Sequence, residues 1–170
     1  RAMLDRPVAT TLHGLAEGLL RELAGFRAHL WAFGEASAGA KGARRAAPAS
    51  RGSHASMLRL HQELRGGSGW MRRLAEVEML IAEMAHYPQL VCCILGGDGG
   101  EHAAAAGASR VLDLLIGRYR AEQLLSMRDN AMLRLWLRLF VAAALPYLHK
   151  LHIWISEGRL EDSAGELPLE

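Results

Sequence analysis

Residues 130–158 read NAMLRLWLRLFVAAALPYLHKLHIWISEG, and this stretch decides the fold. Leu133, Trp136, Leu137, Phe140, Ala144, Tyr147, Leu148, Leu151 and Trp154 recur mostly in steps of three and four, the period of one helical face. Leu135, Leu139 and Val141 fill positions between them, so the helix is apolar on most sides and is expected to lie centrally under its neighbours. Asp129 or Asn130 opens it, Pro146 is expected to bend it by removing one backbone bond, and Gly158 ends it by tolerating positive φ. The longest unbroken apolar run, Leu139 to Leu148, is ten residues and holds Pro146. A bilayer crossing takes ~20 residues, so no membrane span is expected.

The rest of the chain agrees with a helical reading. Leu 29 and Ala 28 stand against 12 Val, Ile and Thr together among 170 residues, and unbranched side chains keep their rotamers in a helix whereas β-branched ones favour strands. Upstream, Val8, Leu12, Leu15, Leu19, Leu23, Phe26, Leu30 and Phe33 predict one long amphipathic helix after Asp5-Arg6-Pro7. Its opposite face carries Glu17, Arg21, Glu22, Arg27 and His29 beside Gly14, Gly18 and Gly25. Met57, Leu60 and Leu64 form a short helical stretch before Gly66-Gly67-Ser68-Gly69, and Trp70, Leu74, Val77, Ile81 and Met84 resume the period up to Tyr87-Pro88. Ser109 is expected to cap a further helix with Leu112, Leu115, Ile116, Tyr119 and Leu124 on one face.

Between these segments the composition changes. From Gly34 to Ser53 the chain is mostly Ala, Gly, Ser and Arg, as in a flexible linker, and Lys41-Gly42-Ala43-Arg44-Arg45 within it reads as solvated charge. Leu90–Leu95, strand or helix, leads into Gly96-Gly97-Asp98-Gly99-Gly100 and Ala103–Gly107, a second flexible stretch. The expected class is therefore all-α, an elongated helical bundle of about five helices with flexible Gly/Ala-rich inserts. Its parts are a first long helix at 1–33, a linker at 34–55, a helical pair at 56–95, a loop at 96–108 and a helical hairpin at 109–170. Arg1-Ala2-Met3-Leu4-Asp5 holds no initiator methionine and no signal-peptide core, which reads as a piece of something longer.

Several chemistries are disfavoured. Lys+Arg 20 against Asp+Glu 18 gives a net charge of +2, too balanced for a dedicated nucleic-acid surface. Cys92 and Cys93 are adjacent, the wrong geometry for an unstrained disulfide and too few for a zinc knuckle. The glycine turn at 96–100 lacks the third glycine of a dinucleotide site, where His102 stands, and the Gly-Lys-Ser/Thr of a P-loop. His149 and His152 share a helical face but no third metal ligand is evident beyond Glu157, so they read as solvent-side residues beside Lys150. Glu76 with Glu78, and Glu161 with Asp162, read as solvated charge. No catalytic, cofactor-binding or metal residue is assigned, and the chain is expected not to be an enzyme. Trp70, Trp136 and Trp154 read as core, while one of Arg128, Arg134 and Arg138 is expected to face a partner.

Residues 146–166, PYLHKLHIWISEGRLEDSAGE, resemble a signature of the gamma-tubulin complex components: Pro146-Tyr147 on a long helix, Trp154-Ile155, Gly158, Leu160, Asp162, Gly165 and Glu166. Gly107-Ala108-Ser109 leading through Leu114-Leu115 to Tyr119 is similar to the family's preceding helix. Ala164 and Leu167 stand where the family has aromatic residues. The resemblance, nearest in style to the fifth and sixth members, implies the later part of the N-terminal helical half of such a component. It implies a structural scaffold of the gamma-tubulin ring complex supporting microtubule nucleation, located in the cytoplasm and cytoskeleton at the microtubule-organising centre, centrosome and spindle pole. The implied partners are other components through lateral helical contacts, with gamma-tubulin carried only by a C-terminal half that this chain lacks. No cofactor is implied. The alternative reading is an unrelated helical-bundle adaptor for protein–protein interaction.

Overall fold

A computed structural model of the chain describes residues 10–43, 52–67, 69–87, 101–125 and 130–160. The fold is all-α: among the described residues there are five α-helices and no strand. They are α1, Thr10–Ala43; α2, Gly52–Gln62, continued by a π-helical turn at Glu63–Gly67; α3, Trp70–Ala85; α4, Glu101–Leu125; and α5, Asn130–Glu157. The scarcity of β-branched residues is sufficient reason for the class.

Three boundaries differ from the sequence reading. Helix α2 begins at Gly52, inside the expected linker at 34–55. Helix α1 runs on to Ala43, through residues 34–43 that composition assigns to that linker, and α4 begins at Glu101, inside the expected loop. Both extensions are alanine-rich, and alanine has the highest helix propensity; once a helix exists, adding a residue costs far less than nucleating one. Low side-chain bulk was therefore misread as absence of structure. Ser109 consequently lies within α4 and does not cap it. The remainder of the expected linker at 44–51, and Leu90–Leu95 with Cys92, Cys93 and the glycine turn, lie outside the described residues.

The chain forms two compact units, one of Arg1–Leu19 with Glu78–Glu170 and one of Leu20–Val77. The first holds the hydrophobic core. Leu12 and Leu15 of α1, Leu80 and Met84 of α3, Ala108, Val111 and Leu115 of α4, and Met132, Leu135, Trp136, Leu139, Ala143 and Ala144 of α5 are buried in it. Helices α4 and α5 pack against each other. The end of α3 is fastened to α4 by polar contacts: the Arg118 guanidinium donates to the Glu83 carboxylate at 2.7 Å, and Arg110 donates to the Tyr87 hydroxyl at 2.6 Å with its guanidinium 4.5 Å from the ring centroid. That hydrogen bond holds Arg110 above its already high ordinary pKa.

Gly14 and Gly18 occupy a packed face, whereas the periodicity of α1 sets them on its polar side. A Cβ at Gly14 would collide with the Ala142 carbonyl oxygen and stand 3.1 Å from Cγ of Pro146; one at Gly18 would stand 3.0 Å from the Ala142 Cβ. The Ala142 carbonyl is the one that Pro146, having no N–H, leaves without its intrahelical donor. The bare backbone of α1 comes up against that position.

The second unit has a different character: among its residues whose burial is described, none is fully buried. Trp70 of α3 organises it, with the Phe26 ring 5.5 Å and the His29 ring 6.2 Å from the Trp70 ring, and the Arg73 guanidinium 4.7 Å from the same indole. Trp70 is accordingly half-buried and not core. Helix α3 opens at Gly69, whose carbonyl accepts the Arg73 amide at 3.1 Å, and closes with the amides of His86 and Tyr87 bonded three residues back.

Candidate functional site

Every described residue of the 146–166 motif lies on α5 or just beyond it, while Gly107, Ala108, Ser109, Leu114, Leu115 and Tyr119 of the preceding stretch lie on α4. Pro146 and Tyr147 are half-buried, the helix continuing unbroken through the proline. Trp154 is 40% and Ile155 78% exposed, so the Trp-Ile pair is presented outward. Trp154 thus departs from the core placement expected of it, as does Trp70; Trp136, at 1% exposed, fulfils it. Asp162, Gly165 and Glu166 lie outside the described residues.

Gly158 closes α5 at φ +66°, and its amide donates to the Trp154 carbonyl at 3.0 Å. This is the single-bond left-handed cap, which satisfies a carbonyl that the helix end leaves free. No atom stands within 4 Å of a Cβ built on Gly158, so a side chain there meets only backbone strain. Gly158→Ala is expected to cost about 1–2 kcal/mol, read as a lowered midpoint in urea with unchanged slope. A midpoint equal to that of the parent chain contradicts the cap.

The central position expected of α5 holds for one side only. Met132, Leu135, Trp136, Leu139, Ala143 and Ala144 are buried, while Leu137, Val141, Leu145, Leu148 and Ile155 are exposed. At about 100° per residue these five fall within about 80° of arc. Arg134, Arg138, His149 and His152 are exposed on the same side, and no Asp or Glu occurs from Ala131 to Ser156. The outer face of α5 is therefore apolar with Arg134 and Arg138 as its formal charges, and Arg138 is already engaged by another group of the chain. Sequence periodicity missed it by setting α5 centrally and covered on most sides; the unbroken lack of carboxylates was the legible signal.

By length and composition α5 is also the one described helix apolar enough to cross a membrane, from Ala131 to Glu157. A core helix passes the same test, and the buried stripe of α5 is that of a core helix. No three His, Cys, Asp or Glu come together among the described residues as a metal would need. His149 and His152 are both exposed, and the carboxylate of Glu157 lies 3.4 Å from Arg159. What the outer face of α5 can do chemically is bind: it offers apolar surface.

Comparisons of the chain with protein-family profiles, with curated proteins and with solved structures find no match. The likeness to the gamma-tubulin complex components rests on the residues of this sequence alone.

Proposed function

We propose that this chain is a non-enzymatic scaffold module of the gamma-tubulin complex, joining neighbouring components through contacts between helix faces. The observation that carries the reading is the run Pro146-Tyr147, Trp154-Ile155, Gly158, which resembles the family signature. The exposure of Trp154 and Ile155 at the end of α5 supports it, because a motif kept for contact with other chains belongs on the surface. On this reading the chain works in the cytoplasm at microtubule-organising centres, takes no cofactor, and uses α5 as a core helix with one interacting side; neither nucleic acid nor a membrane span enters.

The test is a pull-down with the intact chain as bait. The N-terminal half of another gamma-tubulin complex component is expected in the bound fraction, and isolated gamma-tubulin in the unbound one. Capture of gamma-tubulin without any neighbouring component refutes the scaffold reading; capture of neither leaves the unrelated helical adaptor as the better description.

A further inference from the structure

We draw no further inference here: the strongest candidate, the exposed apolar face of α5 formed by Leu137, Val141, Leu145, Leu148 and Ile155, carries nothing because nothing in the structure shows what covers it.

Discussion

Gly14→Ala is expected to destabilise the chain by about 1–3 kcal/mol, although alanine is the better helix former by about 1 kcal/mol. The new methyl would enter the space held by the Ala142 carbonyl oxygen, with Cγ of Pro146 at 3.1 Å on its other side. The first neighbour is backbone and the second a ring closed on backbone, so no rotamer change makes room and α1 must shift from α5. Gly117, in the middle of α4, supplies the control: nothing stands within 4 Å of a Cβ built there. Gly117→Ala is therefore expected to stabilise by about 0.5–1 kcal/mol. Urea denaturation of the two variants should give midpoints on opposite sides of the parent. If both rise, the close approach of α1 to α5 is wrong.

Trp136→Ala carries the largest expected loss, about 3–5 kcal/mol. Its side chain is among the largest that are fully buried, and it lies on the same side of α5 as Met132, Leu135 and Leu139. Removing the indole opens a cavity against helices already fixed by other contacts, with little freedom to collapse. Trp154, on the same helix, is 40% exposed, and Trp154→Ala should cost less than half as much. Thermal or chemical unfolding of the pair checks the asymmetry; similar losses at the two positions would mean that α5 is covered on both sides.

How far the residues alone could be read follows from what periodicity records. It records where apolar side chains recur, and so it finds α3, α4 and α5 and the apolar positions Leu12 and Leu15 that enter the core. Glycine and alanine carry almost no such signal. For that reason the helical stretches at 34–43 and 101–108 passed for flexible chain, and Gly14 and Gly18 were set on the polar side of α1 although they make its closest approach to α5. Nor does periodicity tell a covered apolar side chain from an exposed one. Leu148 and Leu139 look alike in the sequence of a helix apolar all round, and only the fold places one outside and the other in the core. The motif at 146–158 was legible as a pattern; that its Trp-Ile pair points outward was not.

The contact between Gly14 and Ala142 joins an early part of the chain to a late one, and this bears on how the protein is made. Synthesis at ~5–20 residues per second takes on the order of ten seconds to proceed from one to the other. Throughout that interval Leu12, Leu15 and the two glycines of α1 have been translated but their seat on α5 has not. The first unit thus closes only after Pro146 has left the ribosome, and its nascent apolar segments are natural clients for chaperones until then.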